Sequence, residues 1–162
     1  THRYGPHTTY LDLLFFGNCL SPSAVTVRRA LVEQAGVFSE DMRSHGIEDY
    51  DMWLRMSLAG IKFCYVADFL GNYIIHGSNM STAFKFFDIQ ERILLMYGAK
   101  TEKNFANYFK MRIRFTLFYL IKLKAAVTSK CYGYFLSFFK DVSLLFFSNN
   151  FLVNKLEKLN RK

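Results

Sequence analysis

Only 2 prolines and 9 glycines occur among 162 residues, which excludes collagen-like repeats and Pro/Gly-rich linkers as the main content of the chain. Cysteine is equally scarce. Cys19, Cys64 and Cys131 form no C-x-x-C pair and make an odd count, so a disulfide framework or a cysteine-held zinc does not fit, whereas a reducing compartment does. No apolar run reaches the ~20 residues that a membrane-spanning helix needs. The stretches FTLFYLI and VSLLFF are broken by Lys122, Lys124, Lys140 and Asp141, so this region is expected to lie on a membrane and not to cross it. The opening THRYGPHTTY lacks the basic and then apolar regions of an export signal, and its start at Thr1 is expected to mark an incomplete chain.

What is present is apolar and unevenly charged. With 51% hydrophobic and 18% aromatic residues, the chain can bury one core but is short for two ordinary domains. Its net charge of +8 conceals a division. Residues 1–99 carry 8 basic and 10 acidic side chains, net −2, while residues 100–162 carry 13 basic and 3 acidic, net +10. The basic part is also rich in Phe, Tyr and Leu. Phe105, Tyr108, Phe109, Ile113, Phe118, Tyr119, Leu120, Phe135, Phe138 and Phe139 alternate there with Lys110, Arg112, Arg114, Lys122, Lys124, Lys130 and Lys140. A partner that joins negative charge to an apolar phase, an anionic membrane surface, suits this composition best, with nucleic acid as the less fitting rival.

Periodicity predicts a short helix over 9–16 that stops at Gly17-Asn18, a strand over 24–27, and a helix over 28–35 that closes at Gly36. A polar loop over 39–46 leads to residues 48–60, which begin with acids and end with Gly, as a helix of about three turns does. Met52, Trp53, Met56 and Ala59 share one face of it, and Asp51 and Arg55 form an i,i+4 pair on another. Residues 61–66 and 72–76 read as strands. Helices are expected over 84–97, 103–127, 132–147 and 151–159. Strand-like runs and helices are thus both expected up to about residue 76, and helices alone after residue 83.

Five landmarks stand in order: Val27-Arg28-Arg29, Gly36-Val37-Phe38-Ser39-Glu40, the run EDYDMWLR over 48–55, the run GIKFCYV over 60–66, and NYIIHG ending at His76-Gly77. Together they resemble the C-terminal half of the catalytic domain of family 2 glycosyltransferases, over about residues 5–82. The resemblance implies an α/β fold class, the acceptor-side part of a GT-A domain over 1–82, followed by a basic, aromatic, mainly helical tail over 83–162. It implies transfer of a sugar from a nucleotide-sugar donor to a saccharide or lipid-linked acceptor, with inversion, in surface polysaccharide or glycan synthesis. The family's donor half carries a D-x-D motif that holds Mn²⁺ or Mg²⁺ against the diphosphate. The only D-x-D spelling here, Asp49-Tyr50-Asp51, falls in the base region instead, so the donor-side ligands are expected outside this chain, which alone would be inactive.

By the same resemblance Asp49 is the catalytic base and Glu48 its orienting neighbour. Taken without it, two acids opening a helix read as dipole-favoured capping residues. Asp51 and Trp53 are assigned to orienting the acceptor or the helix, although Trp53 reads first as a core residue. His76, ordinarily structural in such a place, is assigned to the metal or the diphosphate. Arg28 and Arg29 could meet phosphate or water alike. The location implied is cytoplasmic and peripheral on the membrane. A helical module that binds membrane or nucleic acid without catalysis is the alternative.

Overall fold

The protein is described here by a computed structural model covering residues 9–41, 46–68, 71, 72, 74, 86–102, 104–128, 138, 139, 141–143, 145 and 155. It divides into two compact units, Thr1–Gln90 and Glu91–Lys162. In the first, α1 (Tyr10–Phe16) starts with a reciprocal cap in which Asp12 N–H donates to Thr9 Oγ1 at 3.2 Å and Thr9 N–H donates to Asp12 Oδ2 at 3.4 Å. Helix α1 buries Leu13 and Leu14 and stops at Gly17. A short 3-10 turn, Pro22–Ala24, precedes α2 (Arg29–Ala35). Helix α2 ends in a left-handed glycine: with Gly36 at φ 88°, its N–H reaches the Glu33 carbonyl at 3.1 Å and Val37 N–H reaches the Val32 carbonyl at 3.0 Å.

Helix α3 (Glu48–Leu58) is the centre of this unit. Tyr50, Asp51, Met52, Trp53, Leu54 and Met56 are all buried, so its first half is enclosed on more sides than one apolar stripe would allow. Ala59, expected on the buried face, is exposed beyond the helix end. The stop repeats that of α2, with Gly60 at φ 77° and Ile61 N–H on the Met56 carbonyl at 3.0 Å.

The expected α/β architecture, a GT-A sheet, is not what forms. Of the described residues 66% are helical and none lies in a strand. Residues 24–27 open in the 3-10 turn nucleated by Pro22 and continue as irregular chain, because the β-branched run Val25-Thr26-Val27 is too short to hold a ladder alone. Over 61–66 the expected alternation survives in part, with Ile61 and Phe63 half-buried and Lys62 and Cys64 exposed, yet no described residue forms a strand ladder with it. A strand exists only through a partner's carbonyls and N–H groups, so alternation without a partner leaves extended chain. Of the expected strand 72–76, Asn72 and Ile74 are irregular and the rest lies outside the described residues.

In the second unit the described part is an α-helical assembly. Helix α4 (Phe86–Gly98), which carries the boundary between the units, buries Ile93, Leu94, Leu95 and Tyr97. Helix α5 (Phe105–Thr128) buries Met111, Phe115, Phe118, Tyr119 and Ala126. Its start is capped by Asn104, whose Oδ1 accepts from Asn107 N–H at 2.8 Å. Beyond α5 the described residues 138, 139, 141–143, 145 and 155 are helical, within the expected helices 132–147 and 151–159. Among the described residues no helix is long and apolar enough to cross a membrane.

Candidate functional site

Three side chains from the first half of α3 reach back to the segment that follows and includes the end of α1. Tyr50 Oη donates to the Leu13 carbonyl at 2.8 Å, Asn18 Nδ2 donates to Asp49 Oδ2 at 3.1 Å, and Trp53 Nε1 donates to the Leu20 carbonyl at 3.1 Å. The three bonds bind one loop to one helix end. Asn18 is fixed further by Oδ1, which accepts from Leu20 N–H at 3.0 Å, so the amide turns its donor end to the carboxyl. Asp49 thus lies half-buried beside an exposed amide, with Oδ1 accepting from Tyr50 N–H at 2.7 Å.

Burial raises the Asp49 pKa above the ordinary carboxylate value, and the nearby Glu48 charge adds to the rise. The hydrogen bonds from Tyr50 and Asn18 oppose it without cancelling it. The result is a carboxylate at a helix start that is more basic than one in water. Glu48 itself folds back to accept from Gly46 N–H, closing the turn that leads into α3.

Asp51 turns elsewhere. Its Oδ2 accepts from Arg55 Nε at 2.9 Å, and the guanidinium goes on to the carbonyls of Ala35 and of Val37, the latter at 2.7 Å. A cation placed on the last carbonyls of α2 satisfies acceptors that the helix leaves open and suits its dipole. Gly36 is favoured there by its positive φ, since a Cβ would meet Arg55 Nη1 only at an ordinary contact distance of 3.4 Å. Arg55→Lys keeps the charge but cannot span three acceptors, and it is expected to cost about 1–3 kcal/mol in a urea titration. A loss below about 0.5 kcal/mol would show that α2 is held by its glycine stop alone.

Trp53 is 2% exposed and packs edge-on against Phe38 and Phe63, with ring centroids 6.2 and 6.1 Å away. Its place is the core under the Asn18 loop, where it positions that loop through Leu20 and presents no ring face to a ligand. Arg29 forms an exposed pair with Glu33 at 2.8 Å, of small energetic weight. His76, and with it His2, His7 and His45, lies outside the described residues.

The carboxylates at hand do not converge on a divalent ion. Asp49 faces Asn18 while Asp51 faces Arg55, and no group of three His, Cys, Asp or Glu side chains among the described residues could hold a metal. Asn18 is the residue that sequence reasoning missed. Beside Gly17 it reads as a helix stop, and only its proximity to a residue 31 positions later gives it a second role. No protein-family model matches the chain, and no curated protein or solved structure matches it either.

Proposed function

We propose that Asp49 is the general base of a glycosyl-transfer centre, and that this chain supplies the acceptor side of it. The observation that carries the reading is the half-buried Asp49 carboxyl at the start of α3, raised in pKa and held on Oδ2 by the exposed Asn18 amide. In an inverting transfer the proton of the acceptor hydroxyl passes to Asp49 as the acceptor oxygen bonds the anomeric carbon. The bond to the diphosphate breaks and its electron pair leaves on the phosphate oxygen. A nucleotide-sugar is the donor, and a saccharide or lipid-linked sugar the acceptor. A carboxylate of raised pKa takes that proton more readily than an ordinary one.

Glu48 and the Asp51–Arg55 pair hold the helix end instead of touching the reacting atoms, which supports a role for them in orientation. A divalent ion at the leaving diphosphate would take its ligands from outside the described residues, with His76 as this chain's candidate.

The test is a pH profile. The protein as its gene encodes it is given a panel of nucleoside-diphosphate sugars and a lipid extract of its own cells. The acid limb of kcat/KM then reports the ionisation of the base. Asn18→Ala removes a bond that holds the Asp49 pKa down, so the limb is expected to move to higher pH, and Asn18→Ser, which restores a donor, to move it partly back. An acid limb that stays in place, or no transfer with any donor, would overturn the assignment.

A further inference from the structure

We propose that the outward face of α5 is a docking surface for an anionic lipid bilayer, a role separate from the chemistry at Asp49. Helix α5 is apolar on two opposite sides. One side, with Met111, Phe115, Phe118 and Tyr119, is buried within the second unit. The other carries Phe105, Phe109, Ile113 and Leu117 at intervals of four, then Leu120 and Ile121 three and four after Leu117, all exposed by 46% to 84%. A single exposed leucine needs no explanation, whereas a continuous apolar stripe on a helix of about 36 Å marks a surface that meets something else.

Charge identifies the occupant. Lys110 and Lys124 are exposed on the stripe's side, Arg112 and Arg114 flank it, and no carboxylate occurs anywhere over residues 103–140. Arg112 also lies over the Tyr108 ring, 4.4 Å from its centroid, at the border of the helix's buried side. Two copies meeting through this face would bring cations against cations with no acid between them. Single-stranded nucleic acid would use Phe105 and Phe109 but leave Ile113, Leu117, Leu120 and Ile121 without a stacking role. An anionic bilayer takes both the charge and the aliphatic surface, with the helix lying in the interface plane.

The face is narrower than composition indicated. Phe118, Tyr119 and Lys122, expected among the lipid-side residues, are buried, so they do not take part.

The test is co-sedimentation of the protein with vesicles of phosphatidylglycerol mixed into phosphatidylcholine, and with phosphatidylcholine alone. Binding is expected to the anionic vesicles, weakened but not abolished by salt. Each cation removed at an anionic surface lowers affinity about fivefold, so Lys110→Glu with Lys124→Glu should weaken it by about 25-fold or more. The same reversal in the first unit, at Arg29 and Lys62, should change it less than about threefold if the face and not the net charge is read. Phe109→Ser with Leu120→Ser, both at exposed positions, should remove the salt-resistant part and leave thermal unfolding unchanged. No binding at low ionic strength overturns the proposal. So do equal effects of the two charge reversals, a change of oligomeric state in the serine variant without a change in lipid binding, or tighter binding to a single-stranded oligonucleotide than to vesicles.

Discussion

Asp49→Asn is expected to lower glycosyl transfer by about 10² to 10⁴ and to remove one pH-dependent part of the protein's stability. Both halves follow from the same carboxyl. The amide keeps the size of the side chain, but its one oxygen replaces only one of the two that accept from Tyr50 N–H and Asn18 Nδ2, and it cannot take the acceptor's proton. Because burial raises the Asp49 pKa in the folded state, ionised Asp49 is less favourable folded than unfolded. Its contribution to stability is fully present below the ordinary Asp value and is lost as pH rises through the raised folded value. Asparagine does not titrate, so the wild type's midpoint should fall relative to the variant's as pH passes from about 3 to about 7. Thermal unfolding at the two pH values, together with single-turnover transfer, measures both effects. Turnover within about threefold of wild type would remove Asp49 from the chemistry, since that is under about 1 kcal/mol of barrier. A midpoint difference that stays the same at both pH values would instead make it a helix cap of the usual kind.

Helix ends were the most legible part of this chain, because they are decided by near neighbours. Gly36 and Gly60 stop α2 and α3 with left-handed geometry, and acids open α3 while Arg55 stands in its last turn. The sheet was misread for the complementary reason. Residues 61–66 carry a strand's alternation, but a ladder is a relation between two segments and the second is not written in the first. The candidate site divides the same way. The acidic opening of α3 was readable in place, and the i,i+4 spacing of Asp51 and Arg55 predicted a pair that forms at 2.9 Å. Asn18 was not readable, since its bond to Asp49 depends on the packing of α3 against α1 through Leu13 and Tyr50. Lys122 was misjudged outright. Its type and its neighbours marked it as a cation for a lipid surface, whereas a carboxylate 31 residues earlier draws it inward.

That carboxylate is the largest structural liability in the second unit, and Glu91→Gln is expected to destabilise it by about 3–5 kcal/mol. Glu91 is 4% exposed, yet it receives Tyr119 Oη on Oε1 at 2.7 Å, Lys122 Nζ on Oε2 at 3.4 Å, and Lys155 Nζ on Oε1. Lys155 also donates to Tyr119 Oη at 2.7 Å and pairs with Asp141 at 2.7 Å. Two carboxylates and two ammonium groups therefore balance around one phenol. Burial and the two carboxylate charges push the Tyr119 phenol far above its ordinary range, so it stays a donor at every accessible pH. Removing the Glu91 charge leaves two buried lysines and one carboxylate, Asp141, which pairs with Lys155, and an unmatched buried charge costs more than the pair contributes. Lys122→Met alone should cost less, because Lys155 still matches Glu91 in the remaining set. The two changes together should cost less than their sum, since the second removes a cation that the first has left unmatched. Urea unfolding of the two single variants and the double closes the cycle. Additive costs, or a Glu91→Gln loss under about 1 kcal/mol, would mean that these groups are hydrated and the network does not organise the unit. The cycle also bears on the lipid face, because the network holds the inner side of α5 in place while Phe109, Ile113 and Leu120 remain outward. Vesicle binding should therefore fall in step with unfolding in the Glu91→Gln variant and recover where the double variant regains stability.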